Sequence, residues 1–152
     1  MTPAGRIGRL GCGGGMNLLN RKREGPGTQT PFQALRVLVM EDNAIIGMLF
    51  ADLLAEMGHA VCAIEATKEA AVAAAARYEP DLMIVDAALS DGSGLAAVDE
   101  ILRGGFIPHV FVSGDTASVL AAKPGAIVLQ KPFRDPDLAR AIQRALSKAG
   151  DS

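Results

Sequence analysis

The sequence of 152 residues has no tryptophan, one tyrosine and an aromatic content of only 4%, so whatever core it builds is aliphatic, drawn largely from Ala, Val and Leu. Its two cysteines, Cys12 and Cys62, have no metal-ligand spacing and no second pair, which excludes a disulfide framework and leaves both as free thiols. No apolar run approaches the ~20 residues needed to span a bilayer. Residues 1–19 are too rich in glycine, and too interrupted by arginine, for a signal peptide. A cytoplasmic protein with no membrane partner is expected. A strong charge of either sign is also missing: the formal net charge is -2, and nothing suggests nucleic acid. No internal repeat is visible. What is present is 49% hydrophobic residues, enough at this length for one domain plus a tail.

The tail is residues 1–33, expected to be a disordered N-terminal extension. It carries Gly-Cys-Gly-Gly-Gly, Gly-Pro-Gly and the basic run Arg21, Lys22, Arg23, with almost no apolar periodicity. A basic arm suits an acidic partner; a translation start placed upstream of the true one, with Met16 as internal candidate, accounts for the same text.

From residue 34 to 150 the pattern changes. Residues 36–40 (RVLVM) and 82–85 (LMIV) are uninterrupted apolar runs with β-branched members, the mark of strands buried on both faces of a parallel sheet. Residues 60–64, 109–112 and 127–130 read as three more strands. Between them lie helical patterns. Residues 44–57 repeat Ile45, Met48, Leu49 and Leu53, with Gly58 closing the helix; an Ala-rich helix runs from the N-cap Thr67 to Tyr78, where Glu79-Pro80 stops it. Residues 95–102 form a short helix. Asp135 with Pro136 is read as a cap and first-turn proline, opening a helix whose apolar face holds Leu138, Ile142, Ala145 and Leu146. Only residues 114–126 join the fourth and fifth strands, and Lys123-Pro124-Gly125 spoils their end, so the fourth helix should be a stub or a loop. Strands alternating with helices imply an α/β fold, a doubly wound parallel sheet with right-handed crossovers.

The residues at the carboxyl ends of these strands are all polar: Glu41 and Asp42, Asp86, Ser113, Lys131. In such a sheet the ends share one rim, where ligands bind. Two unit charges ~4 Å apart repel by about 4 kcal/mol at an effective dielectric of roughly 20, so three carboxylates together need a cation or must protonate. Mg²⁺ fits, because it takes hard oxygen ligands and keeps several waters. Lys131 would neutralise further negative charge. An Asp beside Mg²⁺ and a lysine is a suitable nucleophile for phosphorus, giving an aspartyl-phosphate to which the Ser113 hydroxyl can donate.

These residues, in this order and at strand ends, resemble the receiver domain of two-component response regulators. The resemblance covers the acidic pair Glu41 and Asp42, the acceptor position Asp86, the hydroxyl Ser113 and the run Lys131-Pro132-Phe133. It implies a flavodoxin-like five-stranded sheet of order 2-1-3-4-5 and a receiver domain over residues 34–150. It also implies phosphoryl transfer to Asp86 from a histidine kinase or phosphotransferase, and a cis peptide before Pro132. By the same token Asp86, Ser113 and Lys131 carry the chemistry, while Glu41, Asp42, Asp86 and the backbone carbonyl of Ala88 hold the metal. Val128 stands where most receivers have an aromatic relay residue, and Ala88 and Asp115 flank the path of an attacking water; Asp115 either orients that water or caps a helical stub. With the missing relay and the stub of a fourth helix, the segments Pro108-His109-Val110-Phe111-Val112-Ser113-Gly114 and Leu129-Gln130-Lys131-Pro132-Phe133 are partly similar to the "FAT GUY" subgroup, from whose fourth-strand motif Val112, Ser113 and Asp115 depart.

Three functions compete. A phosphoryl-accepting signalling module leads, being a non-enzyme apart from its own phosphorylation and dephosphorylation. A receiver-like scaffold that is never phosphorylated should have lost part of the charged set, which is complete. A small Mg²⁺-dependent phosphatase wants a second acid two residues after the nucleophile, where Ala88 stands. The sequence ends at Ser152, directly after the last helix, so output through protein contacts by a stand-alone monomer or weak dimer is expected; the downstream partner is not identified by the sequence.

Overall fold

The computed structural model describes residues 33–89 and 94–150. The expected disorder of the extension and the Ser90–Ser93 part of the turn after Asp86 lie outside the described residues. In chain order the elements are β1 (Arg36–Met40), α1 (Ala44–Glu56), β2 (Ala60–Glu65), α2 (Lys68–Tyr78) and β3 (Leu82–Asp86), followed by α3 (Gly94–Leu102), β4 (His109–Ser113), α4 (Thr116–Ala122), β5 (Val128–Gln130) and α5 (Asp135–Gly150). The strands form one sheet of order β2-β1-β3-β4-β5, and every pairing is parallel. This is the expected topology. The fourth helix is indeed a stub, seven residues long.

Parallel pairing with helices on both faces explains why β1 after Arg36 and β3 before Asp86 are apolar at every position, since alternate side chains enter different cores. Val37, Val39, Ile84, Val110 and Val112 pack with Phe50, Leu54, Leu138 and Ile142 on the α1 and α5 side. Leu38, Met40, Met83, Val85 and Phe111 pack with Ala71, Ala75, Val98 and Val119 of α2, α3 and α4. Each fully buried Val, Leu or Phe contributes ~1.5–3 kcal/mol. The β1–β2 register shifts between Val37 and Leu38, so that Val37 faces Val61 and Leu38 faces Ala63. Cys62 is the extra residue, and its thiol lies 3.4 Å from the Val37 carbonyl oxygen.

Helix boundaries follow local chemistry. The Thr67 hydroxyl accepts from the Ala70 N–H at 3.2 Å, and Gly58 takes the positive φ of 92° beyond α1. Glu79 leaves the right-handed region ahead of Pro80 by adopting a left-handed conformation, φ 49° and ψ 63°. The start of α5 differs from the sequence reading. Asp135 is already helical, and it is Asp137 that reaches back, its Oδ2 accepting from the Arg134 N–H at 3.0 Å. Proline at 136 lacks an N–H that the first turn would leave unpaired in any case.

Candidate functional site

β1 and β3 are neighbours, and the chain leaves them in opposite directions across the sheet, so a crevice opens beyond their carboxyl ends. Glu41 and Asp42 emerge from β1 there, and Asp86 is the last residue of β3. One oxygen from each of these three carboxylates lies within 4.8 Å of the other two, the one such acidic group among the described residues. Glu41 is 4% exposed and Asp86 6%, while Asp42 is more open.

Side chains and backbone hold the acids in place. The Glu41 Oε2 accepts from the Asn43 N–H at 3.1 Å, and Asn43 in turn caps α1, its Oδ1 accepting from the N–H groups of Ile45 and Ile46 at 3.0 and 3.1 Å. Asp86 Oδ1 accepts from the Ala88 N–H at 2.8 Å, folding the turn back over the strand end. Gly94 passes so close to this point that a Cβ there would lie 2.5 Å from the Asp86 carbonyl oxygen. Sequence reasoning missed both Asn43 and Gly94. An asparagine directly before a helical pattern was the available signal for the first; a contact across a turn offers none for the second.

Opposite the acids, Lys131 Nζ stands 3.6 Å from Asp86 Oδ2. Ser113 is buried at the end of β4, and its backbone is tied to the lysine, for the Lys131 N–H donates to the Ser113 carbonyl at 2.9 Å. Its Oγ accepts from the Asp115 N–H at 2.9 Å. The peptide bond before Pro132 is cis, and Phe133 stacks on Phe50 of α1 with ring centroids 5.5 Å apart. Val128 opens β5 and is half-buried, beside Phe111 in the sheet register. Asp115 is exposed at the head of α4, where its Oδ1 accepts from the Ser118 N–H at 3.1 Å; of the two arrangements open to it, the structure shows the helix cap. Ala88 is exposed in the turn.

The electrostatics of the acidic group are unsettled without a counter-charge. Burial pushes the Glu41 carboxyl up from 4.5 to about 7, the Asn43 N–H opposes this, and the Asp86 charge adds to it. The Glu41 Oε1 is buried with no hydrogen-bond donor among the described residues. An orphaned buried oxygen among three carboxylates fits a hard divalent cation, and no softer ligand is present in the group.

The sequence matches the response regulator receiver domain over residues 37–143. It is 31% identical over 117 residues to "Phyllosphere-induced regulator PhyR" of Methylorubrum extorquens, covering 74% of this chain and 44% of that one. To "Transcriptional regulatory protein PdtaR" of Mycobacterium tuberculosis it is 34% identical over 117 residues, covering 74% of this chain and 57% of the relative. The chain thus spans about half the length of these relatives. Among solved structures, that of the Erythrobacter litoralis PhyR response regulator REC domain superposes with a TM-score of 0.68 at 32% identity, covering 74% of this chain and 90% of that domain. With the matched region running from β1 into α5 and containing all five strand-end residues, the chain belongs to the family of response regulator receiver domains.

Proposed function

We propose that this receiver accepts a phosphoryl group on Asp86 from a histidine kinase or histidine phosphotransferase in the cytoplasm and signals by protein–protein contacts. The observation that carries the reading is the opposition of charges around Asp86 at the sheet rim: the carboxylates of Glu41 and Asp42 cluster with its own, and the Lys131 ammonium stands 3.6 Å from its Oδ2. In the step itself an Asp86 carboxylate oxygen forms a bond to phosphorus, the phosphorus–nitrogen bond of the donor histidine breaks, and the electron pair returns to the imidazole. Lys131 meets the negative charge of the arriving phosphoryl group. The Ser113 hydroxyl, whose oxygen already accepts from Asp115, keeps its own proton to donate to a phosphoryl oxygen. Glu41, Asp42, Asp86 and the Ala88 carbonyl would hold Mg²⁺, which neutralises the acids and the phosphoryl oxygens.

A protein donor is favoured by the surface beside the rim. Ile45, Met48 and Leu49, at helical spacing on the first turns of α1, are 72%, 64% and 56% exposed, an apolar ridge beginning just after the acidic pair. No helix among the described residues is long and apolar enough to cross a membrane. That the relatives PhyR and PdtaR are both named regulators supports a signalling output rather than substrate turnover.

Acetyl phosphate with Mg²⁺, followed by intact-mass measurement, tests the reading. Wild type should gain one phosphoryl group, Asp86→Asn none, and EDTA should abolish the gain. Labelling of the asparagine variant, or full labelling in EDTA, removes the basis of the proposal and leaves the unphosphorylated scaffold.

A further inference from the structure

One surface away from the phosphorylation rim lacks the side chains to close itself. Six of the eleven residues of α2 are alanine, and α3 is followed by Gly104-Gly105, so the two helices leave a groove of about 750 Å³ between them. Val72, Ala75, Ala76, Ile101 and Ile107 line it, with Phe106, 50% exposed, at one end. It runs on past Val72 and Glu100 into a second hollow of about 330 Å³. Its rim is acidic: Glu69, Glu79 and Glu100 against Lys68, which pairs with Glu100 at 3.3 Å.

The charges of the chain are divided unequally. Residues 1–32 hold five of the fifteen cations and one of the seventeen acids, so the remainder carries sixteen acids against ten cations. Within the arm, Leu18-Leu19-Asn20-Arg21-Lys22-Arg23 joins two apolar residues to three cations, and lies downstream of Met16, so either translation start retains it. The arm also departs from the body beside the groove. The Arg36 N–H donates to Asp81 Oδ2 at 2.8 Å and its Nη1 to the Tyr78 carbonyl at 2.7 Å, clamping the start of β1 against the very turn whose Glu79 and Pro80 line one end of the groove.

We propose that this segment, Leu18 to Arg23, docks in the α2–α3 groove of its own chain, leucines on the alanine-lined floor and cations against Glu69, Glu79 and Glu100. Reach is ample: the twelve residue steps from Arg23 to Leu35 extend to ~40 Å, whereas α2 is ~16 Å long. Tethering supplies an effective concentration of about a millimolar, so a contact with a dissociation constant of that order is half-occupied without any other partner. Being electrostatic and exposed, it weakens with salt. It leaves the acidic rim beyond β1 and β3 uncovered and is independent of phosphorylation.

The test uses the full chain with a nitroxide on Cys12 and Cys62→Ala to make that site unique. Amide signals of Val72, Ala75, Ala76, Gly104 and Gly105 should lose about half their intensity or more, and recover in the R21E/K22E/R23E variant or in high salt. A second measurement leaves both cysteines untouched: those same amides should shift between wild type and the charge-reversed arm, with the rest of the spectrum unchanged. Uniform or absent broadening together with unshifted amides overturns the proposal. So does broadening in a mixture of isotope-labelled, spin-free chains with spin-labelled, isotope-free ones, which would assign the groove to the arm of a second copy.

Discussion

Replacing Glu41 by glutamine should stabilise the metal-free protein above neutral pH, by an amount that shrinks as the solution is acidified. The Glu41 carboxyl is 4% exposed and is pushed up from 4.5 to about 7, chiefly by burial. The folded chain therefore binds this proton more tightly than the unfolded one. The stability that the proton confers is complete below about pH 4.5, falls as the pH rises through about 7 and is gone beyond it. The shift from 4.5 to about 7 corresponds to at most ~3.4 kcal/mol at ~1.36 kcal/mol per unit. Because the Asp86 carboxylate lies beside Glu41 and Asp42 leaves the group partly open to solvent, about 1–3 kcal/mol is the expected effect, or roughly 4–10 °C in Tm. Glutamine keeps the shape and an oxygen for the Asn43 N–H but cannot ionise. Thermal melts of wild type and Glu41→Gln in EDTA, from about pH 5 to about pH 8, should show a gap that opens with pH. Millimolar Mg²⁺ at the alkaline end should close it by stabilising the wild type more. A gap independent of pH, or a glutamine variant that is the less stable at high pH in EDTA, would refute the argument that burial of this carboxyl is what costs stability.

Gly94→Ala should lower Tm by several degrees and slow labelling of Asp86, because the added Cβ would sit 2.5 Å from the Asp86 carbonyl and overpacking of this kind costs ~1–3 kcal/mol; melting and acetyl phosphate kinetics measure both. Thr67→Ala removes the acceptor for the Ala70 N–H and should cost about 1 kcal/mol in denaturant unfolding, without touching phosphorylation. Ala88→Arg should lengthen the life of the phosphoryl group by obstructing water. Asp115→Ala, which removes the cap of α4, should change that lifetime only if the carboxylate leaves the Ser118 N–H to meet water. Loss of phosphate followed by mass decides each.

Strand identity and the five strand-end residues were legible in the sequence because buried parallel strands are apolar throughout and their polar ends stand out against that background; the sheet order was implied by the resemblance those ends carry to receiver domains. The cap at Thr67 and the glycine stop at Gly58 were legible for the same local reason. What depended on contacts between distant segments was not. Nothing in the text near Gly94 says that it must pass over the Asp86 carbonyl, and nothing near Asp135 reveals that Asp137 supplies the backward hydrogen bond of α5. Glu79 was recognised as a stop, but its left-handed conformation is dictated by the turn that brings Tyr78 and Asp81 onto Arg36. Asp115 was undecided from sequence, since a carboxylate at a strand-to-helix junction serves a cap or a pocket equally well until the backbone direction is known.

The single oxygen of Ser113 stands between the carboxyl end of β4 and the start of α4. That oxygen receives the Asp115 N–H, and Asp115 is the residue whose carboxylate begins α4; the hydroxyl proton is the one the proposed function gives to a phosphoryl oxygen. Meanwhile the Ser113 carbonyl is pinned by the Lys131 N–H, so the strand end cannot slide to follow its side chain. If the phosphoryl group proposed at Asp86 draws the Ser113 oxygen toward itself, the Asp115 N–H loses its acceptor at the first turn of a helix only seven residues long, too short to hold by its own cooperativity. With Val128 standing where a ring would act as a piston, the expected consequence of phosphorylation is that of a latch: a fixed pivot, a short arm, and a helix start that is either held or let go.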